Sequence, residues 1–166
     1  MLRHPCPECG LDTDSFAVTD VAAMLRANAA AWQPALAAPG VADRPRPDKW
    51  SPLEYGCHVR DVLRLYDRRL EMMLTEDDPL FPNWDQDATA VEDRYAEQDP
   101  AQVAAELRQA AFAIAGRFES VAGDRWQRTG NRSDGARFTV ETFARYFIHD
   151  PVHHLYDVTG KRAVPG

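Results

Sequence analysis

Near the C-terminus the sequence reads His149-Asp150-Pro151-Val152-His153-His154. On an α-helix, the spacing of four between His149 and His153 places both rings on one face, one turn apart. Two imidazoles so arranged can share one cation, and a metal site normally needs a further protein ligand. The best upstream candidate is His58, so we predict a fold that brings His58 against the His149/His153 pair.

Bulk composition excludes several classes of protein. The chain has 166 residues, 45% hydrophobic and 27% charged, with a formal net charge of -7. Such a chain can form one globular domain. Its acidic balance argues against nucleic acid as a partner, because non-specific nucleic-acid binding needs a basic surface. No apolar run approaches the length of a membrane span, and the N-terminus lacks the apolar core of a signal peptide, so we expect a cytoplasmic protein.

Helical periodicity predicts four amphipathic helices. The first covers about Thr19 to Leu36, and the second follows a capping box formed by Ser51 and Glu54. The third starts at Asp99-Pro100 and the fourth near Thr139, and the long acidic stretch 75–99 joins the second to the third. This layout predicts an all-α four-helix bundle with a long crossover between helices 2 and 3. The crossover is either a binding loop or a solvated connection.

The N-terminal residues carry a separate signal. Residues 1–17 are predicted to form a tail, and residues 18–162 the bundle. Cys6 and Cys9 lie in a Cys-x-x-Cys-Gly sequence, which is half of a zinc knuckle. Cys6 and Cys9 could therefore form a second metal site or have a redox role. His4 and Cys57 could complete a zinc site only if the tail folds back onto the bundle. A partly ordered tail is the alternative.

Several polar residues near the three histidines are predicted to support the site. His154 points about 100° away from His153 around the helix, so it is expected to line the pocket or orient a ligand ring. Asp61 and Asp157 each lie one turn from a predicted ligand and could accept hydrogen bonds from a ligand ring or be solvated. The arginines of residues 124–138 could hold an anionic substrate or serve only solubility.

The motifs resemble those of the DinB-like superfamily of four-helix bundles. The resemblance rests on Trp50-Ser51-Pro52-Leu53-Glu54, on His58 and on the C-terminal His149-x-x-x-His153-His154, and it covers about Val18 to Gly160. It implies a divalent metal, zinc or nickel, held by His58, His149 and His153. It also implies kinship with mycothiol-dependent maleylpyruvate isomerase and bacillithiol transferases, and it points to a homodimer. The isomerase carries a glutamate where this chain has His149.

Three functions follow from these observations. The first is a metal-dependent S-transferase that joins mycothiol or a similar low-molecular-weight thiol to a small electrophilic substrate. The second is metal-assisted hydrolysis, for which Asp150 is the candidate base, although the proline beside it disturbs the helix. The third is a metal-stabilised bundle that binds a small ligand without catalysis.

Overall fold

A computed structural model describes residues 5–163. The four long helices are α1 (Val21–Leu36), α2 (Pro52–Thr75), α4 (Pro100–Glu119) and α5 (Val140–Thr159). A short helix, α3 (Gln86–Glu92), lies in the crossover, and an antiparallel hairpin, β1 (Thr129–Asn131) with β2 (Arg137–Thr139), precedes α5. Short 3-10 helices cover Val18–Asp20, Tyr95–Glu97 and Gly123–Gln127. The prediction of an all-α four-helix bundle is confirmed.

The start of α2 fixes the position of His58. The Ser51 hydroxyl accepts a hydrogen bond from the Glu54 backbone N–H (3.1 Å), and the Glu54 carboxylate accepts one from the Ser51 backbone N–H (3.1 Å). Arg44 donates two further hydrogen bonds to that carboxylate. These contacts satisfy backbone donors that a helix N-terminus leaves free. These contacts fix where α2 begins, and the helix then carries His58 into the buried interior.

Helix α5 is fixed at both ends and at its middle. Thr139 caps its N-terminus by accepting from the Thr142 backbone N–H, and Gly160 ends it in a left-handed conformation (φ +68°). Pro151 lies inside the helix, and its carbonyl accepts a hydrogen bond from the buried side chain of Asn28 on α1 (3.1 Å). The candidate site residues of α5 thus lie on a segment that α1 holds directly.

The acidic crossover packs onto the bundle instead of extending into solvent. Phe81 and Tyr95 are buried, and Trp84 packs against the core. The Tyr95 carbonyl accepts a hydrogen bond from the buried Cys57 thiol (3.8 Å). The crossover therefore covers the end of the bundle at which His58 lies.

The N-terminal residues from position 5 onward also pack against the bundle. The Ala163 backbone N–H donates to the Cys9 carbonyl (2.7 Å). One Arg145 nitrogen donates to the carbonyls of both Thr13 (2.7 Å) and Phe16 (2.9 Å). These bonds bring the Cys-x-x-Cys sequence onto α5.

Within residues 5–163, no helix combines the length and the apolar character that crossing a bilayer requires.

Candidate functional site

The histidines and Asp150 of α5 face two different sides of the helix. Asp150 and His154 face α2 and approach His58, whereas His149 and His153 face the N-terminal segment. Both pairs have the same spacing of four residues, and they differ by one position, or about 100° around the helix. The structure therefore does not bring together the predicted set of His58, His149 and His153, but divides it between two clusters.

The first cluster consists of His58, Asp150 and His154, and we call it the triad. Each residue offers one ligand atom, and the three atoms lie within 4.8 Å of one another. The Asp150 Oδ2 atom is 3.4 Å from His58 Nε2, and the Asp150 Oδ1 atom is 3.4 Å from His154 Nε2. The His58 side chain is 1% exposed, and its ring stacks on Trp84 with 5.8 Å between ring centroids.

The electrostatics of the triad depend on two carboxylates. Burial raises the pKa of the Asp150 carboxyl, but the imidazoles of His154 and His58 outweigh burial and hold it well below its ordinary value. Burial lowers the pKa of His154, but Asp150 and Asp157 together raise it above its ordinary value. The Asp157 carboxylate lies 2.9 Å from His154 Nδ1, the ring nitrogen that faces away from Asp150. Asp157 thus orients the His154 ring so that its Nε2 atom points at the triad.

The donor set of the triad fits a divalent cation. Two ligand atoms bonded to one zinc at about 2.1 Å and near the tetrahedral angle stand roughly 3.4 Å apart. Each triad imidazole nitrogen lies 3.4 Å from an Asp150 oxygen, His58 from Oδ2 and His154 from Oδ1. The buried Asp150 Oδ2 atom has no hydrogen-bond partner among the described residues. Two imidazoles and one carboxylate form a ligand set used for zinc and iron with coordination positions left open.

The second cluster, which we call the cysteine–histidine cluster, contains Cys6, Cys9, His149 and His153, whose ligand atoms also lie within 4.8 Å of one another. Burial alone would raise the pKa of the Cys6 thiol. Hydrogen bonds from the Cys9 and Glu8 backbones outweigh burial and lower this pKa to about 7. Burial lowers the pKa of His149.

The remaining sequence candidates lie in other surroundings. Asp61 accepts a hydrogen bond from the Tyr95 hydroxyl (2.5 Å) and contacts neighbouring arginines, and no contact joins it to His58 in the described part of the chain. Burial raises the pKa of the Cys57 thiol to about 12 and keeps it a protonated core residue. His4, the other candidate partner of Cys6 and Cys9, lies outside the described residues.

A cavity of about 680 Å³ opens beside the triad. Asp150 and His154 line one part of it, and the other lining residues include Asn83, Trp84 and Gln86 from the crossover. Cavities of roughly 300–1,000 Å³ are typical of small-molecule sites. The crossover therefore forms part of the cavity wall.

Three arginines line the same cavity, and they differ in their partners. Arg132 forms an ion pair with Asp134, and Arg145 forms one with Glu141. Arg69 is 7% exposed and forms no ion pair among the described residues.

The Arg69 guanidinium is held by weaker contacts. Its Nη2 atom donates to the Pro82 carbonyl (3.2 Å), and its Nε atom has no hydrogen-bond partner within residues 5–163. The guanidinium lies over the rings of Tyr66 (5.4 Å) and Phe81 (5.3 Å). Burial lowers the pKa of Arg69, although the group stays charged because an arginine pKa starts so high. A buried cation without an acidic partner is well suited to an anion that enters the cavity.

Sequence reasoning missed Asp150 and His154 as candidate ligands and Arg69 as a lining residue. The spacing of four that indicated His149 and His153 holds equally for Asp150 and His154, so it could have indicated both pairs. Arg69 gave no comparable signal, because it is one of several arginines on α2. Its burial depends on the crossover that folds over it.

The fold and the triad define a class of protein: an all-α bundle with three potential metal ligands from two facing helices at the wall of a cavity. The sequence profile of the DinB superfamily matches residues 24–158. The chain belongs to the DinB superfamily.

Comparison with solved structures supports the same fold. The chain is similar to YfiT from Bacillus subtilis, which is described as a probable metal-dependent hydrolase with an unusual four-helix bundle topology. The TM-score is 0.81 at 17% sequence identity, over 96% of this chain and 92% of that one. No curated protein matches the chain by sequence.

Proposed function

We propose that the protein is a divalent-metal-dependent enzyme that acts on a small anionic substrate, with His58, Asp150 and His154 as the metal ligands. The observation that carries this proposal is the position of the triad. Its three ligand atoms lie within 4.8 Å of one another, and two of the three residues line a cavity of about 680 Å³. Only three protein groups take part, which leaves room for an incoming molecule, as in catalytic zinc sites.

Each residue of the site has a separate task in this proposal. Asp157 fixes the His154 ring, and Trp84 covers the His58 ring and limits the access of water. Arg69 binds an anionic group of the substrate or the thiol. When bound, a zinc-type cation would lower the pKa of a thiol or a water molecule at the triad, giving a nucleophile at neutral pH.

The proposed reaction is transfer of a low-molecular-weight thiol such as mycothiol. The thiol sulfur attacks an electrophilic carbon held in the cavity, a carbon–sulfur bond forms, and the bond from that carbon to its leaving group breaks. The thiol proton passes to solvent, and the leaving group departs with the electron pair. No oxidant or reductant is needed.

The lining of the cavity favours thiol transfer over hydrolysis. Among the described residues that line it, Asp150 is the single carboxylate, and it lies between the two triad imidazoles. Hydrolysis at a metal centre commonly uses a separate carboxylate as general base for water. A thiol needs no such base once its pKa has been lowered.

Metal-assisted hydrolysis is the second candidate, and the description of YfiT as a probable metal-dependent hydrolase favours it. Under this alternative, Asp150 takes the role of base, so it no longer serves as a metal ligand. The two candidates therefore make different predictions for the metal content of an Asp150 variant.

The test uses tag-free protein loaded separately with zinc and with nickel. A chromogenic aryl halide is offered with mycothiol, bacillithiol, glutathione or cysteine, and conjugate formation is followed by absorbance and mass spectrometry. We expect metal-dependent and thiol-dependent turnover. Turnover of aryl esters or amides without any thiol would support the hydrolase instead. Inactivity towards both kinds of substrate in metal-replete protein would overturn the enzymatic proposal and leave a ligand-binding bundle.

Two variants identify the ligands. His154→Ala removes a triad ligand, and we expect it to lose one metal equivalent and more than about 100-fold of the activity, as the loss of an essential metal does. Asp150→Asn is expected to weaken metal binding under thiol transfer and to retain metal under hydrolysis. Thr159→Ala is the matched control, because it alters an exposed position of α5 that belongs to neither cluster and does not line the cavity.

A further inference from the structure

We infer that the cysteine–histidine cluster is a second metal site, a tetrahedral structural zinc site that fastens the N-terminal segment to α5. Its ligands are Cys6 and Cys9 from that segment and His149 and His153 from α5. The site is distinct from the triad in residues, in ligand chemistry and in the number of protein ligands. It also gives the Cys-x-x-Cys-Gly sequence a role that the catalytic proposal does not use.

The distances within the cluster suit zinc. The Cys6 Sγ atom is 3.6 Å from His153 Nδ1. A sulfur and a nitrogen bonded to one zinc at about 2.3 Å and 2.1 Å, near the tetrahedral angle, stand roughly 3.6 Å apart. The four candidate ligand atoms all lie within 4.8 Å of one another, so a single cation can reach every one of them after small adjustments.

The backbone of residues 6–11 in the N-terminal segment is folded so that both cysteine sulfurs can bind one cation. The Gly10 backbone N–H donates to the Cys6 carbonyl (2.9 Å), and the Cys6 backbone N–H donates to the Leu11 carbonyl (2.9 Å). Gly10 adopts a left-handed conformation (φ +80°), which glycine reaches without steric cost. This tight turn brings Cys6 and Cys9 to the same side of the loop, as a zinc knuckle requires.

The burial of the two cysteines and of one His149 ring nitrogen is a second, independent observation. Cys6 is 4% exposed and Cys9 is fully buried. The buried His149 Nε2 atom has no hydrogen-bond partner among the described residues, which is costly unless a ligand satisfies it. On the far side of the His153 ring, the Glu8 carboxylate lies 3.5 Å from Nε2 and can orient that ring from outside the cluster.

The number and type of ligands define the role. Two thiolates and two neutral imidazoles neutralise Zn²⁺ and complete its tetrahedral shell, which is the arrangement of structural zinc sites. No position remains for a substrate. The site instead links residues 6–9 to the middle of α5, on a face that lies about 100° around the helix from the one that carries Asp150 and His154. Because Thr13 lines the cavity, this link also holds one wall of the cavity in place.

The principal competing explanation is a redox pair, in which Cys6 and Cys9 form a disulfide. That explanation gives no task to His149 and His153, whereas the zinc site uses all four groups. The two explanations differ in what wild-type protein contains. A zinc site predicts two protected thiols and one zinc, and a redox pair predicts a disulfide or two reactive thiols without zinc.

The first experiment uses wild-type protein, purified without a tag and under reducing conditions. A mercurial reagent is titrated against the thiols while a metallochromic indicator records released zinc. We expect one zinc to be released as two thiols are modified. Intact-mass analysis that finds a Cys6–Cys9 disulfide, or modification of both thiols without any zinc release, would overturn the proposal.

The second experiment replaces zinc with cobalt and records the absorption spectrum. Thiolate–cobalt bonding gives a charge-transfer band, and tetrahedral geometry gives intense d–d bands. Cys9→Ser should weaken the charge-transfer band and lose one metal equivalent, whereas Cys57→Ser, the matched control at a buried cysteine outside the cluster, should leave both unchanged. Equal spectra for the two variants would contradict the assignment.

The third comparison separates this site from the catalytic proposal. His154→Ala should lose its metal at the triad but retain the thiolate–cobalt band, and His153→Ala should do the reverse. If Cys9→Ser does not fold, the wild-type zinc release and the His154→Ala spectrum still decide the question. If one of the two sites binds no metal, the metal content and cobalt spectrum still test the other site.

Discussion

Replacing Gly56 by alanine tests the close packing of α1 against α2, which places the helix that carries His58. A Cβ atom at Gly56 would lie 2.7 Å from the Cδ2 atom of Leu36 and 3.2 Å from its Cδ1 atom. Leu36 is 2% exposed and belongs to the core, so it has little space in which to move. We therefore expect Gly56→Ala to destabilise the protein.

The magnitude follows from two opposing effects. Alanine is favoured over glycine inside a helix by about 1 kcal/mol, and this gain opposes the clash. Forcing an extra methyl group into a packed core costs about 1–3 kcal/mol. The net result is a loss of up to about 2 kcal/mol in the free energy of unfolding.

Gly116 on α4 provides the matched control. It is also a helical glycine, but nothing lies within 4 Å of its added Cβ atom. Gly116→Ala should be neutral or stabilise the protein by up to about 1 kcal/mol. The difference between the two variants isolates the packing cost at Gly56, because the change in helix propensity is similar in both.

Urea unfolding followed by circular dichroism measures both free energies, and thermal scans give an independent check. For a chain of this size, 1 kcal/mol shifts Tm by roughly 2–4 °C, so the two variants should differ by about 2–12 °C. Equal stability of the two alanine variants would refute the close contact between Gly56 and Leu36, and with it the spacing of α1 and α2 that positions His58.

Three further predictions follow. Glu54 is held by Arg44, which lowers its pKa, so its stabilising effect is present above the unfolded-state pKa of about 4.3 and is lost as pH falls through the lower folded-state pKa. Glu54→Gln keeps the cap but should cost about 1–2 kcal/mol at pH 7, and unfolding curves should converge with those of wild type at acidic pH. Arg69→Met should raise KM for anionic substrates at least 10-fold, because a charge-assisted hydrogen bond is worth about 1.5–3 kcal/mol, with little change for neutral analogues. Tyr95→Phe removes the hydrogen bond to Asp61 and should cost about 1 kcal/mol in urea unfolding without changing the metal content.

Each of these predictions has a contradicting outcome. A pH-independent difference for Glu54→Gln would remove the role of the ion pair. Equal effects of Arg69→Met on anionic and neutral substrates would show that its role is to maintain the cavity and not to bind an anion. Loss of metal from the Tyr95 variant would show that Asp61 supports the triad after all.

The sequence alone determined the helices, because their signals are local. Ser51 and Glu54 form the predicted capping box, and Gly160 ends α5 as expected. Apolar positions at helical spacing determine which face of each helix is buried, and four such faces specify a bundle. The residue types of the candidate sites could be found in the same way, since few histidines and cysteines occur in the chain.

The grouping of those residues was decided only by the tertiary structure. His149 with His153, and Asp150 with His154, are equivalent as spacings, and a rotation of about 100° about the axis of α5 determines which pair faces α2. Packing sets that rotation: Asn28 holds the Pro151 carbonyl, and the N-terminal segment covers the other face. Local sequence encodes neither contact, because each joins residues more than 100 positions apart. The burial of Arg69 was likewise decided by the tertiary structure, because it depends on how the crossover folds back over α2.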